Sequence, residues 1–456
     1  MTKSGHYGAT DPSSYSTSLT KFTRDRFPSN QEAWIKRARE VAEILALDAP
    51  KRDIENKSPV AEIALLKASG LLKLLGPKKY GGGGESWETG YKVIREVARG
   101  DGSIGMLLGY HLLWSTTANV VGTEEQADAI QQVIIENNFF VGGAVNPRDD
   151  DLHISDDGDH IVFNGFKDFN TGGVISDLTV LEGVYQGTED HIFTIVKTDQ
   201  PGMQFQHNWD SIGMRLTESG SVRIDNIRVP WNDALGWDPE KKKPIQEVLG
   251  VPFASLLLPT IQLVFSNFYV GLAQGALNQA TKYTSNITRP WPYGGDNKES
   301  AAEEFYILER YGTFAAHLEA ADALADRAGA KVAKLYADVG LRGSTFIKDA
   351  QQTNGHANGH STGDCLLNRD VVTPDYRGQV AAYVAHIKVV ATDVGLEVTA
   401  GIFEMLGARA TGRKYLFDRY WRDLRTHTLH DPVAYKKREV GRFKLLGEVP
   451  EPTWYT

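Results

Sequence analysis

The chain has 456 residues, of which 41% are apolar and 23% charged, a composition typical of a globular protein and unlike that of a disordered or collagen-like chain. Its 49 basic and 58 acidic residues give a net charge of −9, which offers no overall field to hold a nucleic-acid backbone. The single cysteine, Cys365, cannot form an internal disulfide or a thiolate metal cluster, so we expect a reducing compartment. At roughly 150 residues per domain, the length predicts two or three domains.

Neither the N-terminus nor the most apolar stretch predicts a membrane segment. Residues 1–30 are polar and lack the hydrophobic run of a secretory signal, so we expect a flexible N-terminal arm. Polar residues interrupt the stretch 251–277, which favours a buried helix over a membrane span of about 20 apolar residues. We therefore predict a cytoplasmic protein with neither a membrane nor a nucleic acid as its partner.

Residues 31–138 show the periodicity of helices. Trp34, Ala38, Val41 and Leu45 recur at spacings of three and four, which places them on one helix face. Further helices are predicted at 61–75, 88–99, 103–121 and 124–136, the last of them capped by Thr123.

The pattern changes to that of β-strands over residues 139–245. Strands are predicted at 139–146, 160–163, 178–185, 191–197 and 221–229. The pair Asn164-Gly165 predicts a hairpin turn directly after the second of these strands.

Helical periodicity returns over residues 246–456, with helices predicted from Pro259 onward and at 303–336 and 379–406. A flexible insertion is expected near 345–370. It contains His356 and His360, for which a metal site is the weaker alternative because no carboxylate or cysteine accompanies them. The order helical, β, helical predicts an α+β protein.

Common nucleotide-binding and hydrolase motifs are absent from the sequence. It contains no G-x-x-x-x-G-K-[ST], no H-E-x-x-H and no G-x-S-x-G. The glycine run 81–84 follows a predicted helix rather than a strand, which argues against a phosphate-binding loop. A flavin or nucleotide would have to bind by another route.

The segment 164–173, NGFKDFNTGG, resembles the N-G-x-K-x-W-I-T-N-G signature of the acyl-CoA dehydrogenase superfamily. The resemblance implies that Thr171, together with Asn170, lies at the edge of a flavin ring and that Phe169 covers the ring. Taken alone, an Asn-Gly pair followed by small residues is also ordinary turn chemistry.

Further blocks, in the same order along the chain, resemble the flavin-dependent monooxygenase branch of that superfamily, which includes desulfurisation enzymes. These blocks are ASGLL at 68–72, YGG at 80–82, DGS at 101–103, GYHL at 109–112, NWDSIGMR at 208–215, RPW at 289–291 and RTHTLHDP at 425–432. The resemblance implies an N-terminal helical domain at 31–138, a central β-barrel or sandwich at 139–245 and a C-terminal four-helix bundle within 246–456. It also implies a homotetramer, because the family binds flavin between subunits.

The activity implied by the resemblance is that of a two-component monooxygenase. A separate flavin reductase supplies reduced FMN, with FAD as the alternative, and molecular oxygen is the co-substrate. Oxygen forms a hydroperoxide on the flavin and passes one atom to a sulfur or nitrogen of a small molecule. Exclusion of water from the site protects such an intermediate.

The resemblance also assigns expected roles to single residues. The catalytic candidates are His430, His427, Tyr110 and Thr171; the cofactor-binding candidates are Thr171, Phe169, Gly143, Arg289 and Asn170; the substrate-pocket candidates are His111, Trp209 and Trp114. No metal is expected. Arg289 suits a flavin phosphate because a guanidinium binds phosphate bidentately, although a surface arginine is the alternative. Gly143 stands where a member of the branch has an asparagine that helps to stabilise the peroxyflavin, which puts the substrate in question.

The C-terminal motif bears on the type of reaction. Acyl-CoA dehydrogenases often place a glutamate base where this chain has His430-Asp431-Pro432. Asp431 has a shorter arm, whereas a histidine can donate and accept a proton near neutral pH. Three alternatives remain open: the histidines are packing residues, the protein is an FAD-dependent acyl-CoA dehydrogenase, or it is a flavin-free scaffold.

Overall fold

The computed structural model describes residues 8–146, 151–294, 298–348 and 366–453. The predictions for His356, His360 and Cys365 fall outside these ranges. Helices precede and follow a central sheet, which confirms the predicted α+β fold. The helices before the sheet are α1 (Ser16–Arg24), α2 (Gln31–Ala46), α3 (Ala49–Glu55), α4 (Val60–Ser69), α5 (Trp87–Gly100), α6 (Gly102–Ser115), α7 (Thr117–Val121) and α8 (Glu124–Asn137).

The prediction of a flexible arm is wrong for residues 12–24. A 3-10 turn at Pro12–Tyr15 leads into α1, and the side chains of Tyr15 and Phe22 are buried. The Tyr15 hydroxyl accepts a hydrogen bond from Arg52 at 2.9 Å and donates to Glu62 at 3.0 Å. Two aromatic anchors in an otherwise polar segment are enough to hold it on the core.

Two predicted helices are shorter than expected. Helix α4 ends at Ser69, because Gly70 adopts a left-handed conformation with φ of 80°. The predicted helix 103–121 is divided into α6 and α7 at Thr116. The predicted cap of α8 is confirmed: the Thr123 hydroxyl accepts from the Gln126 N–H at 3.2 Å, and the Gln126 side chain accepts from the Thr123 N–H at 2.9 Å.

Seven strands form the central sheet, in the spatial order β1-β4-β2-β3-β7-β6, with β5 also paired to β4. The strands are β1 (Val141–Ala144), β2 (Leu152–Asp157), β3 (His160–Lys167), β4 (Leu178–Tyr185), β5 (His191–Lys197), β6 (Met203–Phe205) and β7 (Val222–Pro230). Strands β1 and β2 run parallel to β4, and the other pairs are antiparallel. The sheet has an apolar core of its own that includes Phe163, Val222 and Trp231.

The predicted hairpin turn at Asn164-Gly165 is wrong. Strand β3 continues through this pair, and the turn lies instead between Asp157 and His160, which face each other across β2 and β3. The register of β3 on β7 shifts between Phe163 and Gly165, which marks a bulge. Gly165 has φ of 143°, and a Cβ there would overlap the Asp151 carbonyl, so the glycine serves the bulge rather than a turn.

Short ribbons and further helices follow in the described chain. The ribbons are β8 (Trp237–Asp238) with β9 (Lys243–Pro244) and β10 (Leu341–Arg342) with β11 (Thr345–Phe346). The helices are α9 (Gln246–Leu249), α10 (Leu257–Asn286), α11 (Phe305–Val339), α12 (Pro374–Leu406), α13 (Asp418–His427) and α14 (Val433–Leu446).

Helix α10 is the centre of the helical core. It packs against α11 and α12 from the C-terminal region and against α5 and α6 from the N-terminal region. One described helix, Pro252–Asn286, is long and apolar enough to cross a membrane, but 94% of its most apolar window is buried inside the protein. This agrees with the predicted buried helix. The two helical regions thus share one core, while the domain boundaries at 138/139 and 245/246 stay predictions.

Candidate active site

Helix α6 brings the two halves of the candidate site together. Every residue of α6 is buried, because the helix lies between α5, α10 and the sheet strand β1. Asp101 caps its start by accepting the Ile104 N–H at 3.2 Å. One turn apart on α6, Tyr110 contacts His427 of α13 and Trp114 contacts Gly143 of β1.

The first half of the site, the His427 cluster, consists of His427, Tyr110, Tyr269, Phe265 and Phe268. The Tyr110 hydroxyl lies 3.3 Å from His427 Nε2, and the Tyr269 hydroxyl lies 2.7 Å from His427 Nδ1. The two phenylalanine rings lie 4.5 and 4.7 Å from the imidazole, centroid to centroid. Burial, with the nearby cations, holds the pKa of His427 well below its ordinary value, so the ring is neutral. Burial also raises the pKa of both tyrosines.

His430 lies at the solvent side of this cluster. Its ring stacks on that of His427 at 5.4 Å, and it donates to Asp431 at 3.3 Å. Asp431 also accepts from the buried Lys388 at 3.0 Å. Burial alone would raise the pKa of Asp431, but His430 and Lys388 outweigh it and hold that pKa well below the ordinary value. Asp431 is therefore a weak base.

The second half of the site is the 169–173 loop that follows β3. The Thr171 hydroxyl lies 2.9 Å from that of Ser219, which in turn lies 2.7 Å from that of Thr217. Asn170 is 1% exposed, and both polar atoms of its side chain lack a partner among the described residues. Phe169 is 62% exposed and has φ of 58°, a strained conformation for an aromatic residue.

Gly143 and Trp114 join the two halves. A Cβ at Gly143 would lie 2.5 Å from Trp114 Nε1, so the indole packs directly on the glycine backbone. The Gly143 N–H donates to the Thr171 carbonyl at 3.3 Å, and the Trp114 ring meets that of Tyr110 edge-on at 6.0 Å. The space that a side chain at position 143 would take is filled by Trp114.

Comparisons with known proteins establish the family of the chain. Residues 28–136 match the family model of the acyl-CoA dehydrogenase N-terminal domain, and residues 366–434 match that of the C-terminal domain. The chain is 36% identical over 426 residues to dibenzothiophene monooxygenase of Rhodococcus erythropolis, covering 91% of this chain and 94% of the relative. The chain belongs to the acyl-CoA dehydrogenase family. Within that family it falls in the flavin-dependent monooxygenase branch, as its sequence motifs predicted.

Two more members of this branch are similar over nearly their whole length. A probable FMNH2-dependent monooxygenase of Pseudomonas putida, SfnC, is 33% identical over 92% of this chain and 96% of its own. The crystal structure of TdsC from Paenibacillus sp. A11-2 with FMN and indole superposes with a TM-score of 0.80 at 33% identity, covering 93% of this chain and 99% of that one. Their likeness confirms the acyl-CoA dehydrogenase fold of this chain.

The 169–173 loop fits the polar edge of a flavin ring in this acyl-CoA dehydrogenase-family protein. A flavin ring edge carries both donors and acceptors, and the Asn170 carboxamide offers both without a protein partner. Buried polar groups are seldom left unpaired, which points to a polar ligand at this position. The exposed Phe169 ring meets Trp209 edge-on at 6.4 Å, beside the same loop.

The remaining predicted site residues are His111, Trp209 and Arg289. His111 uses both ring nitrogens on the backbone: Nε2 donates to the Leu72 carbonyl at 2.9 Å, and Nδ1 accepts from the Val141 N–H at 3.0 Å. It therefore ties α6 to β1 with both ring nitrogens, while its assignment to the substrate pocket stays a prediction. Trp209 is half-buried and donates to the Met214 carbonyl at 2.8 Å. Arg289 is exposed in the segment after α10.

The structure adds residues that the sequence did not indicate as functional. Tyr269 lies among the apolar residues of α10, and Ser219 lies 48 residues from Thr171. Lys388 was detectable in principle, because a lone lysine inside a long apolar helix needs a charged partner. Among the described residues, no group of three His, Cys, Asp or Glu side chains is placed to hold a metal ion.

Proposed function

We propose that this protein is a monooxygenase that uses reduced FMN and oxygen to oxygenate a small molecule. The His427 cluster carries the proposal: a buried, neutral histidine on α13 is hydrogen-bonded to two tyrosines, and Tyr110, Trp114 and Gly143 connect it to the loop that fits a flavin edge. Relatives over nearly the whole length are named as a dibenzothiophene monooxygenase and a probable FMNH2-dependent monooxygenase, which supports the same activity.

The residues of the chain have separable tasks in this reaction. Asn170 and Thr171 would hold the flavin ring edge, and Phe169 would cover it. Reduced FMN, when bound, supplies the two electrons with which oxygen is split between the substrate and a molecule of water. Burial of the His427 cluster excludes bulk water, so that protons reach the site through the protein.

Proton transfer falls to His427 and Tyr110. A neutral imidazole has one donor and one acceptor nitrogen, so the two tyrosine hydroxyls flanking it must point in matching directions. If Nδ1 accepts from Tyr269, Nε2 donates to the Tyr110 oxygen and leaves the Tyr110 proton free to donate. In the opposite tautomer Tyr110 donates to Nε2. Both tautomers hold the same number of protons, so a proton that leaves the Tyr110 hydroxyl is replaced from Nε2, Nδ1 takes the Tyr269 proton, and Tyr269 must take up one proton in turn.

The dehydrogenase alternative needs a carboxylate that abstracts a substrate proton. Asp431 is the nearest carboxylate to that role, but it is paired with Lys388 and His430, and its pKa lies below the ordinary value. Such a carboxylate binds protons poorly, which disfavours dehydrogenation of an acyl-CoA.

We infer a sulfur or nitrogen heterocycle, or another soft nucleophile, as the substrate class. Dibenzothiophene gives its name to a relative, and indole is bound in the TdsC structure. A separate reductase would supply the reduced FMN, because the described chain has no nicotinamide-binding Rossmann unit. A homotetramer would complete the flavin site, and Arg289 would then reach the flavin phosphate from a neighbouring subunit.

The test combines flavin binding with isotope labelling. The protein is titrated with reduced FMN without oxygen, then mixed with ¹⁸O₂ and a panel of organosulfur compounds and amines, and products are weighed by mass spectrometry. We expect one ¹⁸O atom in the product for each molecule converted. Turnover of an acyl-CoA with an artificial electron acceptor, without ¹⁸O incorporation, would establish the dehydrogenase instead. Failure to bind reduced FMN or FAD would favour a flavin-free scaffold.

A further inference from the structure

Asp423 connects the helix that carries His427 to the segment that supports Thr171. It lies four residues before His427 on α13 and is 2% exposed. Its Oδ1 accepts a hydrogen bond from the Met214 backbone N–H at 2.7 Å. Met214 belongs to the 208–219 segment, which joins the last strands of the sheet. The contact therefore spans 209 positions of sequence.

A continuous series of hydrogen bonds leads from Met214 to the 169–173 loop. The Met214 carbonyl accepts from the Thr217 hydroxyl at 2.9 Å, and Thr217 bonds Ser219 at 2.7 Å. The Ser219 hydroxyl is hydrogen-bonded to that of Thr171 at 2.9 Å, and the Gly172 N–H donates to the Thr217 carbonyl at 2.9 Å. The position of the Thr171 hydroxyl thus depends on the position of Met214.

The 208–219 segment needs external contacts to keep its shape. Met214 and Glu218 have φ of 52° and 48°, left-handed conformations that are costly for residues other than glycine. Gly213 lies so close to α13 that a Cβ would overlap the Arg422 carbonyl. The segment is therefore pressed onto α13, and the Asp423 carboxylate meets it at the point of contact.

The surroundings of Asp423 are charged on several sides. Arg419 lies on the same helix, Asp53 of α3 pairs with Arg422 at 2.6 Å, and Asp101 at the start of α6 pairs with Arg52 at 2.7 Å. Burial raises the pKa of Asp423 to about 7, with the two other aspartates adding to the shift and Arg419 opposing it. Because this pKa is raised towards neutral pH, a neutral asparagine disturbs the charge balance less than it would at an ordinary aspartate.

We propose that Asp423 is a positioning residue for the oxygenation site: by holding Met214 it fixes the 208–219 segment, and through it the Thr171 hydroxyl, relative to His427. The role in catalysis rests on the proposed function, because it takes the ligand of Thr171 to be a flavin. The mechanical link between α13 and the loop is independent of that identity.

The first experiment measures FMN affinity by fluorescence titration. Asp423→Ala removes the acceptor of the Met214 N–H and is expected to weaken FMN binding about tenfold or more. Asp423→Asn keeps an acceptor oxygen and should bind within about twofold of the original protein. Thr217→Val interrupts the route farther along without removing a charge, and should weaken binding as Asp423→Ala does. Asp393→Asn, which changes an exposed aspartate on α12, is the matched control.

Two outcomes of the titration overturn the proposal: FMN affinity unchanged in Asp423→Ala, or equally weak in Asp423→Asn. If Asp423→Ala does not fold, the test uses Asp423→Asn and Thr217→Val instead. An unchanged FMN affinity in Thr217→Val then overturns the proposal.

A second readout needs no flavin. The Trp209 indole donates to the same Met214 carbonyl, so its ¹⁵N–¹H resonance, assigned with Trp209→Phe, reports the position of the segment. The chemical shift of this resonance should change in Asp423→Ala and stay the same in Asp423→Asn. An unmoved resonance in folded Asp423→Ala overturns the link. If the unaltered protein binds no FMN while the resonance behaves as expected, the proposed function fails and the link stands.

Discussion

His427 is bonded at both ring nitrogens and covered by aromatic rings, which removes it from water and keeps it neutral. His430, by contrast, is half-exposed and contacts the cluster through ring packing on His427 and Phe265. The sequence motif offered both histidines as catalytic candidates. Because proton transfer needs a direct hydrogen-bond path, the contacts favour His427 with Tyr110 as the proton-handling pair.

Removal of that pair should uncouple flavin oxidation from product formation. His427→Phe or Tyr110→Phe should lower product per FMNH2 oxidised by roughly a hundredfold to ten-thousandfold, with hydrogen peroxide formed instead. Product is measured by mass spectrometry and peroxide by a peroxidase assay. His317→Phe, at an exposed histidine on α11, should change neither quantity. A normal product yield in both cluster variants would assign the proton transfer to His430 or to water.

Strand β1 and helix α6 are held together by His111, and this contact makes the fold sensitive to acid. Burial lowers the pKa of His111 to about 4, against about 6.5 in an unfolded chain. Between those values the unfolded chain binds a proton that the folded chain does not. The stability contributed by neutral His111 is therefore complete above about pH 6.5 and is lost as the pH falls towards 4.

Urea unfolding across that pH range tests the contact. The unaltered protein should lose up to about 1.4 kcal/mol of unfolding free energy per pH unit through this one histidine. His111→Gln, which cannot titrate, should be less stable at pH 7.5 but should show a shallower decline. His153→Gln, at an exposed position on β2, should keep the original slope. Equal slopes in the protein and in His111→Gln would contradict the assignment.

The same strand and helix meet at Gly143 and Trp114, and the fit there leaves no room for a side chain. Gly143→Ala should lower the unfolding free energy by about 1–3 kcal/mol through overpacking against the indole. Adding the methyl should cost less in a Trp114→Ala background, as a double-mutant cycle measures. Gly312→Ala on α11 meets open space and should be neutral or stabilising. If Gly143→Ala lowers the unfolding free energy equally in the Trp114→Ala background, a group other than the indole clashes with the added methyl.

A single copy of the chain exposes large apolar side chains around the end of α10 and the start of α11. Trp291, Tyr293 and Phe305 are 61%, 74% and 81% exposed. The Trp291 and Tyr293 rings lie 6.2 Å apart, and neighbouring exposed apolar side chains are typical of an interface, which supports the proposed homotetramer. Arg289 lies in the same exposed region.

Arg289 therefore offers a test at the scale of the assembly. Arg289→Ala should weaken FMN binding about fivefold to a hundredfold through the lost charged contact, without loss of helix content. Arg413→Ala, also exposed, is the control. Light scattering measures the oligomer, fluorescence the affinity and circular dichroism the fold. Unchanged affinity in a tetrameric Arg289→Ala protein would make Arg289 an ordinary surface residue.

Local signals in the sequence predicted most of the helices and strands. They failed where a contact between residues distant in sequence determines the conformation. The helix cap at Thr123 and the strands 178–185 and 191–197 agree with the structure, because each depends on neighbouring residues. Asn164-Gly165 reads as a turn locally, yet pairing with β7 and the nearby Asp151 carbonyl makes it a bulge. The first thirty residues read as polar, yet Tyr15 and Phe22 reach the core.

The sequence by itself determined the α+β class, the family and the motifs around Thr171 and His427, because these reside in residue types and short spacings. Only the tertiary structure decided which of those residues act together. Tyr110 and His427 are 317 positions apart, and Met214 and Asp423 are 209 apart, so no local pattern relates them. The tertiary structure also showed that both ring nitrogens of His111 bind backbone groups and that Trp114 fills the space over Gly143. The physical reason is that hydrogen-bond partnership and burial are properties of the packed chain, which residue spacing does not encode.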